Sequence, residues 1–113
     1  MKYKNFKDIQ ISYLGLGMMR QDPNNEYLTQ KIIDLAISGG INYFEGCYFY
    51  LGFQCEQILA NALAKYDRSS YYLCDKLPLK GIADSFKNQY ELEKLFNKQL
   101  DSMRTNYFDF YLI

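Results

Sequence analysis

Gly39-Gly40-Ile41-Asn42-Tyr43-Phe44-Glu45-Gly46-Cys47-Tyr48-Phe49-Tyr50 is the stretch that decides the fold. It joins a helix stop, a short buried strand and a polar, aromatic cluster. The paired glycines are the expected chemistry of a left-handed helix C-cap, because glycine pays no Cβ penalty at positive φ. Ile41 to Phe44 then forms an apolar strand that ends abruptly in Glu45, which puts a carboxylate at the strand's C-terminal tip. In sheets built from βα units, chemistry collects at that tip.

Upstream, Leu28, Ile32, Leu35 and Ala36 recur at helical spacing, and the turn Gln21-Asp22-Pro23-Asn24-Asn25 marks where that helix starts. Ile11 to Met18 is expected to be a first strand. Its glycines, Gly15 and Gly17, either admit a ligand or neighbouring backbone or simply ease packing at a crowded wall. Met1 to Gln10 is polar and carries no assignment.

Downstream, a second helix is expected from about Gln54 to Lys65, with Cys55, Leu59, Ala62 and Leu63 on one face. Cys55 is then a small buried apolar group. After the polar tract Tyr66 to Ser70, a third strand, Tyr71 to Cys74, ends in Asp75-Lys76 before Leu77-Pro78 breaks it. Lys80 to Lys87 reads as loop. Asn88 with Glu91 caps a third helix striped by Leu92, Leu95, Phe96, Leu100 and Met103, and Phe108 to Ile113 forms a fourth strand.

The resulting order, β-α-β-α-β-α-β, argues for parallel pairing and right-handed crossovers. Four such strands make either a small open sheet or half of an eight-stranded barrel. A half barrel leaves its inner face uncovered and two sheet edges unpaired.

Composition narrows the classes of function. The chain has 113 residues, 49% of them hydrophobic, which is enough for one domain with a core. Thirteen basic residues balance thirteen acidic ones, so long-range attraction favours neither nucleic acid nor an anionic membrane. No apolar run reaches the ~20 residues that span a bilayer, and Met1 to Asp8 has no signal-peptide core; a cytoplasmic protein is expected. Cys47, Cys55 and Cys74 are odd in number without C-x-x-C spacing, which fits reduced thiols and no metal site. Histidine is absent, so proton transfer within this chain falls to carboxylate, lysine, cysteine or tyrosine.

Several motifs together, in order and spacing, resemble the N-terminal half of the aldo-keto reductases. They are Leu14-Gly-Leu-Gly-Met-Met-Arg20, Gly40-Ile-Asn-Tyr-Phe-Glu45 with Tyr50, Gly52 with Glu56, Lys76 after the third strand, and Asn106-Tyr-Phe-Asp-Phe-Tyr-Leu-Ile113. The resemblance is to the bacterial branch, some of whose members carry a C-terminal iron-sulfur domain. It implies an α/β fold, the N-terminal half of a (β/α)8 TIM barrel, with four parallel strands and three intervening helices. Residues 1–113 then form a partial reductase domain truncated at strand four.

The resemblance also implies the chemistry. Tyr50 matches the tyrosine that gives a proton to a carbonyl oxygen while NADP(H) carries the hydride. A phenol with a pKa near ~10 is a poor acid at neutral pH and needs a nearby ammonium. Lys76 matches that cation, and Glu45 stands where the family uses aspartate to hold the lysine. Gly17, Met18, Met19 and Glu45 match positions that face the cofactor.

The extra methylene of Glu45 extends the acid by about 1.5 Å, and a displacement of about 1 Å can cost two orders of magnitude in rate. Gly46-Cys47 also replaces the family's Thr-Ala, and the family's catalytic histidine would follow Ile113. A chain inactive by itself is therefore expected. Its partners would be a small carbonyl substrate and either a C-terminal half-barrel or a second copy. The alternative is a non-catalytic assembly module in which Glu45 and Lys76 form an ordinary ion pair, Met18 and Met19 only pack, and Tyr48 competes with Tyr50. Cys47 as a reactive thiol lacks an activating neighbour.

Overall fold

The computed structural model describes residues 1–78 and 88–113; the loop expected over Lys80 to Lys87 lies outside the described residues. The chain opens with an antiparallel hairpin, β1 (Tyr3–Phe6) and β2 (Ile9–Ser12). A four-stranded parallel sheet follows in the order β3 (Leu16–Gly17), β4 (Tyr43–Glu45), β5 (Tyr72–Lys76), β6 (Phe110–Leu112). Between its strands run α1 (Glu26–Ser38), then the short turn α2 (Tyr50–Phe53) with α3 (Cys55–Leu63), then α4 (Gln89–Met103). Sequential parallel strands with helical crossovers make this α/β architecture part of a (β/α) barrel.

The expected strand Ile11 to Met18 is not continuous. Ile11 and Ser12 complete the hairpin, and only Leu16 and Gly17 pair with β4. Asn42 decides the break: its Oδ1 accepts from Ser12 N at 2.9 Å and its Nδ2 donates to Gln10 O at 2.9 Å, fastening the hairpin to the foot of β4. The hairpin's Phe6 ring reaches the inner sheet face, 6.0 Å from Phe110, which itself lies 5.4 Å from Tyr43. The unassigned N-terminus is therefore a plug over one end of the half barrel.

Asn25 caps α1, its Oδ1 accepting from Leu28 N at 3.0 Å. The helix ends on Gly39-Gly40, but Gly39 is right-handed (φ −78) and the left-handed residue is Gly40 (φ +90). A Cβ on Gly40 would stand 2.7 Å from the Tyr3 hydroxyl, so glycine serves both the turn and the hairpin contact. The apolar face of α1 differs from expectation. Thr29 and Ile33 are buried, whereas Leu28 and Leu35 are 45% and 72% exposed. The helix carries two overlapping apolar rows, and the sheet takes the one through Ile33, Ala36 and Ile37.

The core lies between the outer sheet face and the helices, around Phe44, Ile33, Leu59, Leu73 and Met103. Full burial of a side chain such as Phe44 or Ile33 contributes about 2 kcal/mol. The expected α3 face, Cys55, Leu59, Ala62 and Leu63, is wholly buried. Asn88 Oδ1 accepts from Glu91 N at 3.1 Å and starts α4, as its spacing predicts. Among the described residues, no helix is long and apolar enough to cross a membrane.

Candidate active site

Strand alternation and register sort the side chains near the sheet's C-terminal rim. Glu45 pairs with Cys74 and Gly17 pairs with Glu45, so the ends of β3, β4 and β5 lie side by side. Tyr43, Glu45, Cys74 and Lys76 share the inner face, while Phe44, Leu73 and Asp75 point toward the helices.

Tyr50 reaches the same rim by a tight route. Gly46 N extends the ladder to Cys74 O at 3.0 Å, and Tyr50 N closes a turn on Cys47 O at 3.1 Å. A Cβ on Gly46 would stand 2.6 Å from Met103 Cε, so a side chain there would push the end of that methionine aside. Beyond Tyr50 the backbone runs through three successive positive φ values, Leu51 at 55, Gly52 at 62 and Phe53 at 68. The two non-glycine residues cost about 1–2 kcal/mol each. Leu51 packing on the core and Phe53 packing on Tyr48 and Phe49 offset that cost.

The three side chains expected at the rim meet. Lys76 Nζ donates to the Tyr50 hydroxyl at 2.7 Å and forms an ion pair with Glu45 Oε1 at 2.5 Å. The longer acid does not leave the lysine unheld. Burial alone would lower the pKa of Lys76, but the bonds to Glu45 and Tyr50 outweigh it and the net shift is upward. Lys76 is thus a committed ammonium at neutral pH. Because it donates to the phenol oxygen, the phenol's own proton is left to point elsewhere. Tyr48 instead packs edge-on against Phe49 and Phe53 and makes no bond to Lys76.

The cofactor-facing candidates divide. Gly17 ends β3 beside Glu45 and has no atom within 4 Å of where a Cβ would lie; Met19 is 53% exposed. Met18 is corrected: its side chain is fully buried in the core, so only its backbone, whose N bonds Glu45 O at 3.0 Å, remains at the rim. The space at Gly17 lies next to a carboxylate and a cation, Glu45 and Lys76. Gly15 is a packing glycine, since a Cβ there would stand 2.7 Å from the Tyr43 ring. Cys47 is buried, and that burial pushes its thiol upward, away from thiolate. Burial likewise pushes Cys55 up to about 12.

Sequence reasoning missed what lies behind Lys76. Gln99 is fully buried and donates to Glu56 Oε1 at 3.1 Å, Asp75 Oδ2 at 3.2 Å and the Lys76 carbonyl at 3.0 Å. Tyr111 donates to Gln99 Oε1 at 2.5 Å, and Asp75 Oδ1 accepts from Lys76 N at 2.8 Å. The signal was available: Gln99 sits between Phe96 and Met103 on the apolar stripe, where a polar group must find buried partners. Asp109, in the fourth-strand motif, accepts from Arg68 at 2.7 Å and from Leu73 N at 2.8 Å, so it braces β5 against β6.

Known proteins share this fold. A thermostable aldo-keto reductase, Tm1743, solved with the inhibitor epalrestat, superposes with a TM-score of 0.81 at 22% identity, covering 100% of this chain and 42% of that one. The holo form of an aldo-keto reductase from Bacillus halodurans gives 0.80 at 24% identity, covering 99% and 40%. One from Klebsiella pneumoniae in complex with NADPH gives 0.75 at 17% identity, covering 92% and 35%. The chain thus spans less than half the length of these reductases. No curated protein matches it. The model of the aldo/keto reductase family matches residues 13–113, from the end of the hairpin through β6 and every rim residue described above, and by that match the chain belongs to the aldo/keto reductase family.

Proposed function

We propose that residues 1–113 are the proton-donor half of an NADP-dependent carbonyl reductase of the family's bacterial branch, inactive until a complementary half-barrel closes the site. The observation that carries this reading is the Tyr50–Lys76–Glu45 chain of contacts at 2.7 and 2.5 Å on one rim. A bound nicotinamide supplies the hydride that reduces the carbonyl carbon. Tyr50 gives its phenolic proton to the carbonyl oxygen, so C=O becomes CH–OH and a phenolate remains until solvent returns the proton. Lys76 stabilises that phenolate, and Glu45 keeps the ammonium in place. Gly17 leaves room for the cofactor, and Met19 lines the approach.

A second reading is favoured by exposed apolar residues on α1 and at the β6 edge. Leu28, Leu35 and Leu112 are 45%, 72% and 44% exposed, and β6 has no second partner strand among the described residues. On that reading the chain is an assembly module whose Glu45–Lys76 pair is structural.

The test is NADPH oxidation with an aromatic aldehyde, by the purified chain alone and after co-expression with the C-terminal half of a related reductase. Activity only in the complex, lost on Tyr50→Phe, is the expected result. A complex that forms and stays inactive favours the assembly module, and turnover by the isolated chain overturns the claim that a second half is needed.

A further inference from the structure

The cluster behind Lys76 does not balance as a set of ionised groups. Gln99 Nε2 carries two hydrogens but has three acceptors within reach, on Glu56, Asp75 and the Lys76 carbonyl. Its orientation is fixed, because its Oε1 accepts from Tyr111; turned over, it would set an oxygen against three acceptors. The Glu56 and Asp75 carboxyls converge on that one nitrogen, Oε1 of the first at 3.1 Å and Oδ2 of the second at 3.2 Å. Two carboxylates have only lone pairs to offer one another, and both residues are essentially buried, at 5% and 0% exposure. An ionised pair there would set two like charges around one amide nitrogen, away from water, with Ser102 as a further donor to Glu56 and the Lys76 N–H to Asp75.

We propose that Glu56 and Asp75 hold a single proton between them in the folded protein, and that this pair, with Gln99 and Tyr111, is the positioning device that fixes the Lys76 peptide at the rim. The geometry grips that residue's backbone on both sides of its Cα: Asp75 Oδ1 accepts the Lys76 N–H at 2.8 Å and Gln99 donates to the Lys76 C=O at 3.0 Å. Lys76 and Asp75 alternate across β5, so the clamp sets the backbone from which the lysine side chain reaches Tyr50. The role assigned to the clamp rests on Lys76 acting as proposed above; the shared proton does not.

Other groups around the pair do not remove the need for a proton. Among the described residues these are Lys76 and Cys74 on β5, Cys55 on α3, Lys98 on α4, Tyr111 on β6 and Cys47 after β4. Lys76 is engaged with Glu45 on the opposite face, and Lys98 acts on Glu56 only at a distance. Burial, then the neighbouring carboxyl, pushes Asp75 well above the ordinary carboxylate range, and burial pushes Glu56 in the same direction.

Infrared spectroscopy of the purified 113-residue chain tests the proton directly. At neutral pH the folded chain should show the carbonyl stretch of a protonated carboxyl group, shifted in D2O, and lost in both Asp75→Asn and Glu56→Gln. Absence of that band in the unsubstituted chain, or its survival in both variants, overturns the shared proton. The unsubstituted chain alone can refute it if a variant does not fold. Positioning is tested by NMR of chain carrying labelled lysine, with Lys76 assigned through Lys76→Arg. Its ε-methylene resonance should move with the same pH midpoint as the infrared band, and a stationary resonance overturns the link to Lys76. Neither readout uses reductase activity, so failure of the catalytic reading would leave both arms standing.

Discussion

Lys76 donates to the hydroxyl oxygen of Tyr50 at 2.7 Å, with its ammonium 4.9 Å from the centre of the same ring. The two residues are 26 positions apart and come from different βα units, joined at the rim because β4 and β5 pair in register. The ion pair with Glu45 at 2.5 Å fixes which way the lysine points.

In a completed barrel, Tyr50→Phe removes the donated proton while leaving the ring. We expect kcat to fall by about 10²- to 10⁴-fold with little change in NADPH affinity. Lys76→Met should also fall within that range. Steady-state kinetics with dinucleotide binding measured separately would check it, and unchanged turnover in Tyr50→Phe would remove tyrosine from the mechanism.

Glu45→Gln tests the charge rather than the length of the acid. Because Glu45 raises the Lys76 pKa, the variant should titrate lower, as followed by NMR of the labelled lysine. A lysine held above its unfolded value of about 10.4 stabilises the fold fully below that pH and stops doing so as pH rises through the folded value. Parent and variant should therefore differ by about 1 kcal/mol at neutral pH and converge in strong alkali.

Gly15 and Gly17 should separate packing from ligand access. In Gly15→Ala the new methyl meets the Tyr43 ring at 2.7 Å and disturbs its contact with Phe110, costing about 1–3 kcal/mol in urea unfolding. Gly17→Ala meets nothing within 4 Å and should stay within about 0.5 kcal/mol of the parent. NADPH binding to a completed barrel should nonetheless weaken in Gly17→Ala; unchanged binding would place the cofactor elsewhere.

Asp34 joins α1 to the end of α3, accepting from Lys65 at 2.8 Å, Tyr66 at 2.6 Å and Gln30 at 2.8 Å. Those bonds, led by Lys65 and Tyr66, lower its pKa from 3.8 to about 2. A depressed carboxylate stabilises the fold above its unfolded pKa and ceases to as pH falls through the folded one. Asp34→Asn should thus be less stable than the parent at neutral pH and equal to it near pH 2, as read from thermal melts across acid pH.

Lys7 opens the two-residue turn of the hairpin at φ 52, where a side chain is strained. Lys7→Gly should stabilise the chain by up to about 1 kcal/mol, measured by urea midpoint. A loss of stability would mean that Lys7 makes contacts worth more than the strain.

Local chemistry was enough to define the elements. Helical and strand periods set the alternation of β3 to β6 with α1, α3 and α4, and Asn25 and Asn88 announced their caps because a cap needs only residues three positions away. The same locality put Glu45 and Lys76 at strand tips. Side-chain direction, by contrast, depends on partners far along the chain. Only the tertiary structure turned Leu28 and Leu35 outward, buried Met18 while exposing Met19, and folded the unassigned N-terminus into a hairpin held by Asn42. It also closed the contact between Lys76 and Tyr50, the tyrosine that the family resemblance had singled out over Tyr48. And it alone brought Glu56, Asp75 and Gln99 together, since a buried polar group is specified by what surrounds it and three separate elements must pack before those surroundings exist.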